Sequence, residues 1–445
     1  MPLVPLLDLL SHHAEAAELA GRLRTLKSGS FATAPYGQAF QHAFQHAFQA
    51  PYQAQAFQSQ PALQGYQGHE PFPRSQQAFS QAAYSAQTAF VALPSESSKA
   101  VALKPPSVGL QNTNNTCYMN SFVQGMFLTD AFIWRIYNFK LKLKNNPSKR
   151  DQEDFEFGKK VVELLQKQFA KMALTKHKHT DIWDILQAFP ADYRSGEQQD
   201  VTETIRFVFD KLGGSDQLLL KEVFAGQLQE KIQCKVCGNV KIREETFTDL
   251  VLPVPTAKEV LETGRVPTTQ MLFEERLKFE EMDAENLVSC DICQKKTQAG
   301  KWSEITSPPA HLCLCLNRFT FNLEKMDFTK EKTPVKIDEG LWIGSHEYEL
   351  YHTIIHTGKD ASSGHYYAMG RRSEPVAGDS KQFFTMDDSQ IKPAEVSLLA
   401  GNPPEKLMDD NAYVLFLRCK HAPATPEFRV PKSLLDYVKK EDKKQ

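Results

Sequence analysis

The sequence predicts an α+β protein, helical first and β-rich later, preceded by a disordered N-terminal region. Three observations carry this. Between 117 and 212 apolar residues recur at helical spacing. From Val223 onward short runs alternate or are continuously apolar, as strands do. Residues 28–98 are built from Gln, Ala and aromatic residues, with Glu70, Arg74 and Glu96 their only formal charges. Such a segment has too few branched aliphatic residues to form a core.

Taken in order, residues 1–27 read as a short amphipathic helix, with Leu6, Leu9, Leu10, Leu19, Leu23 and Leu26 mainly on one side. Residues 28–107 are expected to be a low-complexity, disordered tether. Order is expected over 108–420. Helix is predicted from Cys117, where Tyr118, Phe122 and Met126 recur, again over 155–172, and over 198–212. Lys176-His177-Lys178-His179 reads as a solvated loop. Strands are predicted within 224–232 and 248–252, a helix at 269–282, then strands at 312–316, 348–357, 365–369, 383–386 and 412–417. Residues 421–445, with three prolines and a charged end, are expected to be a tail carrying a short helix at 434–438.

Composition excludes several function classes. The chain has 445 residues, 24% of them charged, and a net charge of −2. Nothing there suggests a nucleic-acid partner. No apolar run reaches the roughly 18 residues of a membrane helix, and the N-terminus carries Pro2, Pro5 and Asp8 rather than a leader pattern. An intracellular protein of cytoplasm or nucleus, and a monomer, is expected.

Eight cysteines are present, and four form two C-x-x-C pairs. Cys234 and Cys237 are separated from Cys290 and Cys293 by 52 residues. Each pair adjoins turn-forming or polar residues, so each can form a knuckle offering two thiolates. Together they make a closed tetrahedral site, the pattern of a structural zinc.

Other clusters suggest acyl chemistry. Cys117 ends a polar Asn/Thr run and opens an apolar helix, where unpaired N–H groups and the helix dipole favour a thiolate. His365 follows a polar loop, 358–364, with a glycine at each end. His352 and His356 on the preceding strand compete for its role. Asp387 and Asp388 end a strand at a turn, and either can accept the Nδ1–H of a histidine and so fix its tautomer. Asp200 and Glu203 share one face of a helix start, where they favour the dipole or receive a basic peptide.

These segments, in this order, resemble the ubiquitin-specific protease family of cysteine peptidases. The resemblance rests on Gly109 to Ser121, Gln198-Gln199-Asp200, and Phe224-x-Gly226-x-Leu228 running into Cys234-x-x-Cys237-Gly238. It continues through Cys290-x-x-Cys293, Leu316-Asn317-Arg318-Phe319, Gly364-His365-Tyr366, Asp387-Asp388 and Ala412-Tyr413-Val414-Leu415. It covers about Val108 to Cys419. The resemblance implies a papain-like fold shaped as a hand: a thumb at about 108–220, zinc-tipped fingers within about 221–310 and a palm at about 311–420. It implies ubiquitin and ubiquitinated proteins as partners. Cys117 would be the nucleophile, His365 its base, and Asp387 the group orienting His365, a role Asp388 would share or replace. Asn112 would supply the oxyanion side chain, and Asp200 and Glu203 would bind the basic tail of ubiquitin. The loop 358–364 would cover the cleft.

The sequence departs from the family near the chemistry. Asn114 stands where the family usually has glycine, a position that suggests positive φ, for which Asn is the next best residue. The implied function is hydrolysis of the (iso)peptide bond after the C-terminal glycine of ubiquitin. One rival is a catalytically impaired ubiquitin-binding scaffold on the same fold. The other is a zinc-knuckle protein assembling RNA or condensates through the 28–98 segment, which lacks the Arg/Lys density of nucleic-acid binders.

Overall fold

The computed structural model describes residues 98–444, except 139–144, 214–219, 221, 283–284, 323–326, 359–362, 374–381 and 395–409. The expected helix over 1–27, nearly all of the 28–107 segment, and the middle of the 358–364 loop lie outside the described residues. The chain divides into two compact units. One, residues 74–320 and 328–445, holds every element described below; the other, residues 1–73 and 321–327, lies almost wholly outside the described residues.

The helical half begins with α1 (Cys117–Leu128), all twelve of whose residues are buried. Such a helix is apolar around most of its girth because it is enclosed on every side, and its polar residues Asn120, Ser121 and Gln124 are buried with the rest. Around it stand α2 (Asp130–Asn138), α3 (Lys149–Leu174), α4 (Trp183–Ala188) and α5 (Val201–Gly213). The start of α3 is fixed by a capping box. The Asp151 N–H donates to Ser148 Oγ at 3.1 Å, and the Asp151 carboxylate accepts from the Ser148 N–H at 3.0 Å. Aromatic rings fill the interior. Phe132 meets Phe169 at 6.3 Å and Phe224 at 6.2 Å, and Phe209 stacks on Phe224 at 5.0 Å. Phe132 is fully buried, so truncating it to alanine would cost about 3–5 kcal/mol.

An eight-stranded sheet forms the β-rich half. Its order is Gln390–Ala394, Phe383–Asp387, His365–Gly370, His346–Thr357, Asp410–Cys419, His311–Asn317 and Leu250–Pro253, with Gly340–Ile343 also pairing to His346–Thr357. All pairings are antiparallel except that of Leu250–Pro253 with His311–Asn317. The α1 helix packs on this sheet, and Gly125 is what lets it come close: a Cβ there would overlap the ring of His352. The axis carrying Cys117 is thus set directly on the strands carrying His365 and Asp387.

A second sheet joins Val240–Phe247, Gly226–Cys234, Ala299–Ser307 and Glu280–Glu281, all antiparallel. A hairpin of Val288–Cys290 and Lys295–Thr297 stands beside Cys234, whose Sγ lies 3.2 Å from Thr297 Oγ1. The helix expected at 269–282 spans Thr269–Leu277, and Glu280–Glu281 is already strand.

The helix expected at 434–438 is present and longer, and an unexpected strand pair joins the two ends of the described chain. Ser98–Ala100 pairs antiparallel with Arg429–Pro431, and a helix follows over Lys432–Glu441. This helix packs on α3, burying Val438, with Phe428 and Val430 buried just before it. The Thr175 hydroxyl donates to the Asp442 carboxylate at 2.6 Å. Isolated short elements are unstable in water. These gain order from the outer side of α3, a partner remote in sequence. Among the described residues, no helix is long and apolar enough to cross a membrane.

Candidate active site

The stretch before Cys117 is held from two sides. Gly109–Leu110 pairs in parallel with His179–Thr180, and the Leu110 N–H donates to the carbonyl of Asp388 at 2.9 Å. Beyond it the chain turns tightly. The Asn112 side-chain oxygen accepts from the Thr116 N–H at 3.0 Å and from its hydroxyl at 3.3 Å. Asn114 and Asn115 adopt φ of 76° and 58°, both left-handed. The Asn115 side chain donates to the carbonyl of Gly196 at 2.9 Å. The positive φ expected at Asn114 is therefore present, and asparagine is the side chain that tolerates it best. Asn114→Ala is expected to lower stability by about 1 kcal/mol and Asn114→Gly by less than about half of that. Urea unfolding midpoints of the two variants check this order.

The helix then starts on Cys117 without a side-chain cap from Thr116. Its first-turn N–H groups are in the position where a developing anion is stabilised. Facing it is His365, half-buried at the start of its strand. The ring Nε2 lies 2.7 Å from Asp387 Oδ1 and 4.0 Å from Asp388 Oδ2. The sequence reading put Nδ1 against the carboxylate. The structure puts Nε2 there: His365 opens its strand and Asp387 closes the adjacent antiparallel strand, so the two side chains meet at one end of the sheet. A hydrogen bond to Cys117, with a second to Asp387, outweighs partial burial and raises His365 to about 9.

A pH dependence follows. The folded-state value lies above the ordinary 6.5, so the stabilisation from protonated His365 is complete below about 6.5 and is lost as pH rises through about 9. The NMR titration of His365 is expected near 9 in the wild type and lower in Cys117→Ala, which removes the largest cause. An unchanged midpoint would show that the sulfur does not interact with the ring.

Asp388 occupies the centre of the site at a left-handed φ of 49°. Its Oδ2 accepts from the Asn112 amide at 2.9 Å and its Oδ1 from the Asn120 amide at 2.8 Å. Its carbonyl accepts from Gln124 Nε2 at 3.3 Å. Sequence reasoning missed Asn120 and Gln124. The signal available was two amides at i+3 and i+7 from Cys117 on an otherwise apolar helix.

Two competing histidines are placed elsewhere. His352 and His356 are fully buried. Burial lowers His352 to about 3, so it stays neutral. The His356 ring packs against Tyr366 and Phe319, at 4.5 and 5.4 Å. Asp200 is committed locally: its Oδ1 accepts from the Thr202 N–H and hydroxyl, each at 2.6 Å, and its Oδ2 from the Tyr413 hydroxyl at 2.6 Å. It caps α5, the local role weighed for it. Glu203 lies in the first turn of the same helix, partly exposed.

The four cysteines of the paired motifs converge. The sulfurs of Cys234, Cys237, Cys290 and Cys293 all lie within 4.8 Å of one another. Cys237 and Cys290 are 3.5 Å apart and Cys234 and Cys293 3.9 Å. A tetrahedral site with Zn–S bonds of about 2.3 Å needs sulfurs about 3.8 Å apart. Both knuckles share one turn. The N–H of Gly238 donates to the Cys234 carbonyl and that of Gln294 to the Cys290 carbonyl, each at 2.9 Å, with φ of 73° and 52°. Donor set and spacing fit a structural metal ion.

The model of the family described as ubiquitin carboxyl-terminal hydrolase matches residues 108–417. The chain belongs to that family. Among its curated relatives is human ubiquitin carboxyl-terminal hydrolase 17-like protein 15, 24% identical over 74% of this chain and 58% of that protein. Human ubiquitin carboxyl-terminal hydrolase 40 is 27% identical over 60% of this chain and 23% of its own length. Ubiquitin carboxyl-terminal hydrolase 25 of Arabidopsis thaliana is 25% identical over 72% and 48%. The chain thus spans between about a quarter and three-fifths of these relatives. The family match contains Cys117, His365, both aspartates and all four clustered cysteines, and it ends before the strand and helix at 429–441. Those last elements lie outside the matched residues.

Proposed function

We propose that the chain is an active thiol-dependent deubiquitinase, hydrolysing the (iso)peptide bond that follows the C-terminal glycine of ubiquitin. The observation that carries this is His365, which engages the Cys117 sulfur and the Asp387 carboxylate together. Protonated His365 supplies the positive charge that a thiolate needs beside it. The thiolate attacks the glycine carbonyl carbon. The resulting oxyanion is received by the Cys117 N–H and by Asn112. An amide NH₂ has two donors; Asp388 takes one of Asn112's, and the other is available to the oxyanion. Such a donor contributes about 3–4 kcal/mol in comparable sites. As the C–N bond breaks, the imidazolium gives its proton to the leaving lysine amine. Water then attacks the thioester, His365 accepts its proton, and ubiquitin leaves as the carboxylate while the thiol is restored.

The remaining parts take the roles the resemblance gives them. Residues of about 108–220 form the thumb and those of about 311–420 the palm. The second sheet and its cysteine knuckles, within about 221–310, form fingers held by zinc. Asp200 and Glu203 lie at the α5 start, where ubiquitin's basic tail would run. Asp200 would do this while capping the helix. The test is a fluorogenic amide on the C-terminus of ubiquitin. Release of the fluorophore with saturable kinetics supports the proposal, and no release from folded, metal-loaded protein overturns it.

A further inference from the structure

We propose that Asn120 is a positioning residue, which locks the Asp388 corner to the loop carrying Asn112 and so aims the oxyanion donor. This rests on the deubiquitinase reading above. Asn120 is fully buried on α1, three residues after Cys117 and therefore on the same face. Its Nδ2 is 2.8 Å from Asp388 Oδ1 and 3.3 Å from the carbonyls of both Leu110 and Gln111. Those two residues immediately precede Asn112. Asp388, in turn, accepts the Asn112 amide on its other oxygen. One side chain thus holds Asn112 from both sides: through the backbone leading into it, and through the carboxylate that orients its amide.

Two further facts argue that this is more than packing. The Asn120 side-chain oxygen has no partner among the described residues. A buried amide left with an unsatisfied acceptor is costly, so the side chain is kept for its donors. Asp388 is a non-glycine residue at positive φ, next to a second carboxylate and 4.0 Å from His365. Such a corner persists only where its surroundings over-determine it. Asn120 grips its carboxylate, while Gln124 and the Leu110 N–H grip its carbonyl. Without Asn120, the carboxylate is freed to turn toward His365, and Asn112 loses its reference.

The test compares Asn120→Ala, Asp388→Ala and the double variant in full-length, metal-loaded protein. Each single change is expected to lower kcat roughly 30- to 100-fold, with KM within about threefold. The double variant should be no more than about threefold below the worse single one, because both act through one arm. Alkylation of Cys117 by iodoacetamide should stay within about threefold, since Cys117, His365 and Asp387 keep their contacts. Multiplying effects, or alkylation falling in step with kcat, would overturn the proposal in favour of a general structural role. Should Asn120→Ala not fold, the near-isosteric Asn120→Leu, which has no donor and leaves no cavity, carries the same comparison. A wild type that cleaves no ubiquitin substrate would defeat the functional reading instead. The side-chain amide resonance of Asn112 would then decide this inference. A common displacement in Asn120→Leu and Asp388→Ala supports it, and an unmoved resonance overturns it.

Discussion

Replacing Cys117 by alanine is expected to lower the rate of ubiquitin release by roughly ten-thousand-fold or more, the scale on which hydrolases lose activity with their nucleophile. No other sulfur can take over. Cys313, Cys315 and Cys419 are buried in strands of the main sheet, and the remaining four form the metal cluster. The variant should still bind ubiquitin within a few fold of the wild type, because Cys117 is buried and contributes little contact area. Single-turnover kinetics together with a binding titration separate these two effects. Residual hydrolysis within tenfold of the wild type would place the nucleophile elsewhere.

The second large effect concerns the metal. Cys234→Ser, or prolonged chelation, is expected to unfold the cysteine knuckles and the outer ends of the second sheet while leaving the helical half and the main sheet intact. The reason is local. Around the knuckles the apolar residues face solvent: Val236 and Ile292 are 63% and 65% exposed, and Ile242 54%. There is no core there to hold the turns, so metal–thiolate bonds do so, and such binding supplies on the order of 10 kcal/mol of folding free energy in small zinc sites. Among the described residues, two apolar clusters draw on α1 to α5 and on the eight-stranded sheet, and reach the second sheet at its inner end, through Leu228, Phe247 and Ile305. Hydrogen exchange should therefore accelerate at 229–246 and 286–304 and stay slow in α1. Unchanged protection of the knuckles in metal-free protein would contradict this.

What was legible in the sequence was what depends on local spacing. The doubled C-x-x-C motif announced the cysteine cluster because ligand geometry constrains each pair within four residues. The Asn-rich run by itself announced only a turn; the positive φ at Asn114 was expected from the resemblance, through the glycine that usually stands there. The order of helices and strands followed from periodicity, and α+β is what the structure has. What was not legible depends on contacts across hundreds of residues. No local pattern says which of His352, His356 and His365 faces Cys117; only burial of the first two decides it. The ring nitrogen presented to Asp387 depends on how two strand ends meet. No local pattern announces that the Asp200 carboxylate accepts from Tyr413, more than two hundred residues later. The terminal strand pair was hidden because each strand is too short to signal alone, whereas the helix expected at 434–438 is present and runs over Lys432–Glu441. Asn120 was hidden in plain view, as a polar residue in an apolar helix whose partner is Asp388.

The most direct test of the central claim uses ubiquitin carrying an electrophile at its C-terminus, with intact-mass and peptide analysis of the product. A single adduct mapped to Cys117 is predicted, absent from Cys117→Ala and slowed in His365→Ala. No adduct with the folded wild type, or an adduct that persists in Cys117→Ala, would contradict the account.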